Sequence, residues 1–138
     1  MLLTEEARYS ELALNCIEKC LYCFVTCRTT CQNCVAGENP HHPLLRNIPL
    51  LQCAELCRDV RTFLERGSEL WDVACSLCAD LCESCARECK QVPDDEQFRI
   101  CGEACEECAA TCRLLVAAGA ASSLPRRELY IPGDMLTE

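Results

Sequence analysis

The chain has 138 residues, enough for one domain with a single core and no need of a second. Its net charge of −9 and pI near 4.7 argue against nucleic acid and anionic membrane as partners, and against a basic cradle that would depress thiol pKa values. Half the residues count as hydrophobic but only 5% are aromatic, and 17 are cysteine, so the core is short of large side chains.

The N-terminus, Met1-Leu2-Leu3-Thr4-Glu5-Glu6, has neither a basic n-region nor an apolar h-region, and no later segment approaches about 18 uncharged apolar residues. A soluble, cytoplasmic protein is expected. In a reducing compartment dense cysteine points to metal or catalysis rather than to a disulfide scaffold, and an odd count leaves at least one thiol unable to pair internally.

Thr4 is placed to cap a first helix, with Glu5 and Glu6 in its first turn, and the periodic pattern runs to about Ala36 before Gly37-Glu38-Asn39-Pro40 stops it, giving a helix over 4–36. It carries Cys16, Cys20, Cys23, Cys27, Cys31 and Cys34, whose gaps of 4, 3, 4, 4 and 3 span about five helical turns and leave all six sulfurs in one stripe roughly 80° wide. His41-His42-Pro43 completes the turn. A second helix is expected over 44–66, with Pro49 as an alternative start and 43–48 then an irregular lead-in. It ends at Gly67 and has only Cys53 and Cys57 on its inner face, continued by Val60 and Leu64.

Ser68, followed by Glu69, reads as the N-cap of a third helix over 68–91 that ends before Pro93 and carries Cys75, Cys78, Cys82, Cys85 and Cys89. Asp94 with Gln97 forms a candidate capping box for a fourth helix over 94–119, carrying Cys101, Cys105, Cys108 and Cys112. Residues 121–138, with Pro125 and Pro132-Gly133, read as an irregular C-terminal tail.

Four helices with short connections and no strand-like alternation predict an all-α fold, an antiparallel four-helix bundle with a cysteine-lined core over residues 1–120. In that order Cys34 and Cys89 lie nearest the end that holds the His41 and Pro93 turns, and Cys16, Cys75 and Cys112 lie deepest, in a thiol column about 25 Å long. Tyr9, Leu12, Val60, Leu64, Trp71 and Leu115 continue the same faces as an apolar plug at the other end. Leu14, Ile17, Leu21 and Val25 on the first helix, and Leu70, Val73, Leu77 and Leu81 on the third, form further apolar rows about 120° from the thiols. Such rows either flank the core or pack against another subunit.

Cysteine can fill a core passively as a small hydrophobe, but it buries less area than leucine and is open to oxidation, so a register of fifteen in three stripes calls for a chemical reason. Disulfides at i, i+3 or i+4 on one helix strain the backbone. Cys-x2-Cys pairs occur at Cys20/Cys23, Cys31/Cys34, Cys75/Cys78, Cys82/Cys85 and Cys105/Cys108, yet zinc sites close around discrete sets of four ligands and these run on without grouping. The ferredoxin spacing is absent.

Cu(I) fits better: it is soft, prefers thiolate and is satisfied by two or three sulfurs. Each Cu(I) cancels one thiolate charge, so a buried column becomes tolerable at about one copper per thiol. All seventeen cysteines are then candidate ligands. Ala54, Ala74, Ala79, Ala86, Ala104 and Ala109 keep the walls small while favouring helix. His41 and His42 are candidates to receive copper at a mouth, although a loop histidine is ordinarily solvated, and Met1 and Met135 offer no methionine path. A thiol-based redox switch and a structural zinc-binding bundle remain as alternatives; a Cys-His nucleophile is poorly supported, because the two histidines are adjacent in one loop.

The sequence resembles the four-helix-bundle copper storage proteins, in particular their cytosolic bacterial branch. The resemblance covers roughly residues 10–118, through Cys53-Ala54-Glu55-Leu56-Cys57, the stretch from Phe63 to Leu70, the run from Cys75 to Cys85, and the run from Cys101 to Cys112. It implies storage of many Cu(I) ions by thiolates inside the bundle, a homotetramer and no catalytic turnover. A copper chaperone is the further partner that such a role invites.

Overall fold

The computed structural model describes residues 4–35 and 49–121, which form four helices: α1 (Glu5–Val35), α2 (Leu50–Glu65), α3 (Trp71–Cys89) and α4 (Glu96–Ala121). They pack as an antiparallel four-helix bundle in which each helix adjoins its neighbours in chain order and α4 closes back on α1. The fold class therefore matches the expectation. The loop with His41 and His42, and the tail beyond Ala121, lie outside the described residues.

Local chemistry fixes the helix ends. The Thr4 hydroxyl accepts a hydrogen bond from the Ala7 amide at 3.0 Å, the expected cap of α1. Pro49 precedes Leu50, the first residue of α2, so the later of the two expected starts is correct: proline needs no amide partner there, and its carbonyl accepts from Cys53 N at 2.9 Å. The helix closes in a Schellman motif, with Ser68 N bonded to Phe63 O, Gly67 N to Leu64 O, and Gly67 at φ 61.

Two expected caps are corrected. Ser68 does not open α3; it closes the preceding motif and starts a turn in which its hydroxyl accepts from Leu70 N and its carbonyl from Trp71 N, so the helix begins three residues late. At α4 the capping carboxylate is Asp95, whose Oδ1 accepts from Phe98 N at 3.0 Å. Gln97 is drawn away from any capping box by Thr30 of α1, to whose hydroxyl its amide donates at 2.8 Å. The other ends shift by one or two residues from those expected.

The plug forms as expected from Tyr9, Val60, Leu64, Trp71 and Leu115, all buried, with Leu12 half-buried beside them. At the opposite end Leu50, Val92 and Phe98 are equally buried, an apolar closure that was not anticipated. Of the outer rows, Ile17 is buried and Leu14, Leu21 and Leu81 are half-buried, but Val25, Leu70, Val73 and Leu77 each expose half or more of their surface. On the helical wheel both rows turn away from α4, to either side of α2.

Small residues let α3 and α4 approach: Ala79, Ala86, Ala104 and Ala109 are buried between walls, and a Cβ on Gly102 would meet Cys89 Cβ at 3.3 Å. Arg113 of α4 bonds Glu83 at 2.6 and 2.8 Å and Asp80 at 2.7 Å on α3, and Lys19 of α1 pairs with Glu107 of α4 at 3.4 Å. The tightest approach is at Gly119, where a Cβ would stand 2.5 Å from Trp71 Cη2 and 2.6 Å from Cζ2. Alanine would gain about 1 kcal/mol of helix propensity, but this rigid ring is wedged in the plug and its displacement costs about 1–3 kcal/mol. Gly119→Ala should therefore lower the melting temperature of the metal-free protein, followed by far-UV circular dichroism.

Candidate metal centre

Three helices carry cysteine where the inward stripe of an ordinary bundle carries leucine, and α2 adds two more. Of the sixteen cysteines whose side chains are described, all are free thiols and all but Cys31 are buried. Cys31 is half-buried on the last turns of α1, and Cys34 follows it there, its side chain outside the described set.

The α1 and α4 stripes meet in strict reverse order: Cys16 with Cys112 at 3.6 Å, Cys20 with Cys108 at 3.5 Å, Cys23 with Cys105 at 3.7 Å and Cys27 with Cys101 at 3.7 Å. Across the bundle Cys53 meets Cys82 at 3.4 Å and Cys57 meets Cys78 at 3.7 Å. Further contacts join the two sides, Cys23 to Cys53 at 3.9 Å, Cys23 to Cys82 at 4.0 Å and Cys57 to Cys108 at 3.7 Å. Antiparallel helices with the same three-and-four residue rhythm stay in register, so the sulfurs stack in layers. Cys85 joins the layer of Cys27 and Cys101; Cys89, near Gly102, lies toward the Phe98 end, and Cys75 lies with Cys16 and Cys112 at the Tyr9 end.

Several sets of four thiols have all their sulfurs within 4.8 Å of one another, among them Cys20, Cys78, Cys108 and Cys112; Cys23, Cys53, Cys57 and Cys82; Cys23, Cys27, Cys53 and Cys105; and Cys27, Cys85, Cys101 and Cys105. The third set shares Cys23 and Cys53 with the second and Cys27 and Cys105 with the fourth, whereas the first, second and fourth share no cysteine. Closed tetrahedral sites on those three sets would leave the buried Cys16, Cys75 and Cys89 outside them, whereas ions that share sulfurs can occupy the column continuously.

Charge decides the protonation of the metal-free column. Two bare thiolates about 4 Å apart repel by about 4 kcal/mol even at an effective dielectric of 20, so neighbours must share protons. Hydrogen bonds from Cys112, Cys20 and Cys75 draw Cys16 well below the ordinary thiol range, while Cys108, Cys112 and Cys16 push Cys20 well above it. The same division recurs in mid-column, where Cys53 is drawn down by Cys105 and Cys23 while Cys105 is pushed up by Cys101, Cys23 and Cys27. Each thiol held as a protonated donor stabilises charge on its neighbour, and a soft cation that replaces the proton meets preassembled sulfur.

Residues 9–117 match the family model for copper storage proteins. The chain belongs to the copper storage protein family. Among solved structures it is similar to the Cu(I)-bound copper storage protein BsCsp3, 32% identical with a TM-score of 0.68 over 78% of this chain and 98% of that one. It is also similar to the Nmul_A1745 protein of Nitrosospira multiformis, 30% identical with a TM-score of 0.66 over 78% and 96% of the two chains. The cysteine-rich protein YhjQ of Bacillus subtilis is 35% identical over 83 residues, 59% of this chain and 73% of YhjQ. The family match takes in every cysteine of the sequence, and leaves the tail from Ser122 outside.

Proposed function

We propose that this chain stores copper by taking many Cu(I) ions into the column, about one per cysteine, with the seventeen cysteines from Cys16 to Cys112 as thiolate ligands and no catalytic turnover. The continuity of the thiol column carries this reading: separate tetrahedral sites on the three non-overlapping sets would leave the buried Cys16, Cys75 and Cys89 outside them, whereas a metal that shares sulfurs can use every thiol. Kinship with a Cu(I)-bound storage protein supports the choice of metal. Each ion that enters displaces one thiol proton, Cu⁺ + RSH → RS–Cu + H⁺, so the column fills without accumulating charge and binding weakens as pH falls.

We place the protein in the cytoplasm, where thiols stay reduced; no described helix is long and apolar enough to cross a membrane. A copper chaperone is the natural source of ions in a compartment where free copper is scarce. We also propose a homotetramer, supported by the exposed rows of Val25, Leu70, Val73 and Leu77 on the two sides of α2.

Anaerobic titration of the reduced protein with Cu(I) against a competing chelator, repeated with Zn(II), tests the storage reading. Uptake approaching one copper per cysteine, with about one proton released per ion and zinc far weaker, is expected. Saturation at one to four ions, or a preference for zinc, would point instead to a structural site or a thiol switch. For the assembly, sedimentation of Val73→Glu/Leu77→Glu should reveal smaller species than the parent tetramer; an unchanged sedimentation coefficient would remove these rows from the interface.

A further inference from the structure

Two buried polar atoms at the plug end of the column have no hydrogen-bond partner among the described residues, the Tyr9 hydroxyl and the Trp71 indole nitrogen. Their residues are 4% and 2% exposed and their rings meet edge to face, centroids 5.7 Å apart. An unpaired buried hydroxyl costs about 1–3 kcal/mol, and phenylalanine at residue 9 would fill the same space without it. Tyr9 precedes Cys16 on α1 by about two turns and Trp71 precedes Cys75 on α3 by about one, so both rings stand immediately beyond the last thiols. Burial first, then the charges of Cys75, Cys16 and Asp72, hold the Tyr9 hydroxyl in its protonated, donor form.

We propose that Tyr9 is the terminal donor of the metal column, its hydroxyl donating a hydrogen bond to the thiolate pair Cys16 and Cys75 when copper fills the last layer. The proposal rests on the storage reading. A mid-column sulfur such as Cys23 has sulfur neighbours on all sides, Cys27, Cys53, Cys82 and Cys105 within 4.0 Å, so copper there is shared in both directions. The last layer has sulfur on one side only; on the other lie Ala13, Val60, Leu64 and Leu115, all buried and apolar. Thiolate charge in this layer is met from α4 by the Thr111 hydroxyl, which bonds Cys16, and on the plug side it faces the Tyr9 hydroxyl, which feels the charges of Cys75 and Cys16 without yet bonding either. A protonated thiol is a weak acceptor and a thiolate a strong one, which accounts for an orphaned donor in the metal-free protein.

Tyr9→Phe keeps the ring and removes only the donor. The variant should melt no lower than the parent when metal-free, fill the mid-column normally, and surrender its last one or two coppers to a competing chelator about tenfold more readily. Tyr22→Phe, which removes an exposed hydroxyl, should match the parent. In a Tyr22→Phe/Tyr130→Phe background Tyr9 is the only tyrosine, and the tyrosine doublet in its ultraviolet resonance Raman spectrum should shift toward a strong donor as the final ions enter. Superimposable loading curves for Tyr9→Phe and parent, or a doublet unmoved by loading, would overturn the proposal. A parent that takes up only a few ions would sink the storage reading itself, whereas a parent that loads fully beside an indistinguishable Tyr9→Phe would sink the terminal-donor role alone.

Discussion

Sulfur atoms held 3.4–4.0 Å apart in a dry core tolerate protons or soft cations between them, but not bare charge. The rest of the bundle answers to that constraint. The walls are alanine and glycine, because larger side chains would separate the stripes: Ala79, Ala86, Ala104 and Ala109 line them, and Gly102 lets α4 approach Cys89. Ordinary hydrophobic packing is displaced to the two ends, Tyr9, Leu64, Trp71 and Leu115 at one and Leu50, Val92 and Phe98 at the other. Formal charges sit on the outside, where Arg113 ties α4 to α3 and Lys19 reaches from α1 to α4. With no fixed cation buried against the column among the described residues, compensation for thiolate must come from what enters it.

The same arrangement separates the competing chemistries. A zinc bundle needs four private ligands per ion; three sets here could supply them, but those sites would leave Cys16, Cys75 and Cys89 buried outside them, with no part in the site. A redox switch needs an accessible low-pKa thiol next to a resolving partner; here the thiols that neighbours draw down, Cys16 and Cys53 among them, are fully buried. Sharing of sulfurs along a continuous column is what a soft monovalent ion exploits.

Much of this was legible in the sequence because the cysteines double as a periodicity marker. Their three-and-four spacing named the helices and their inner faces, and antiparallel order then predicted which sulfurs meet, as Cys16 with Cys112 shows. Thr4 and Pro49 also read correctly, being local signals with local effects. The misread caps failed because a cap is a competition: Ser68 was taken by the Schellman motif at Gly67, and Gln97 by Thr30 on a helix distant in sequence. Phe98, three residues before Cys101 on the same face, was a visible sign of the second apolar closure. No pattern in the sequence marked the Tyr9 hydroxyl as unpaired, since that depends on which side chains three other helices bring to it. The fate of Cys34, His41 and His42 likewise depends on parts of the chain outside the described side chains.

The central claim is that the thiol column becomes a continuous copper column. A crystal structure of the fully loaded protein with anomalous diffraction recorded on both sides of the copper absorption edge tests it most directly. The account predicts a file of anomalous peaks running between the helices from the level of Cys89 to that of Cys16 and Cys75, each within bonding distance of two or three sulfurs. One or two isolated peaks, each enclosed by four cysteines, or copper confined to the surface above intact thiols, would contradict it.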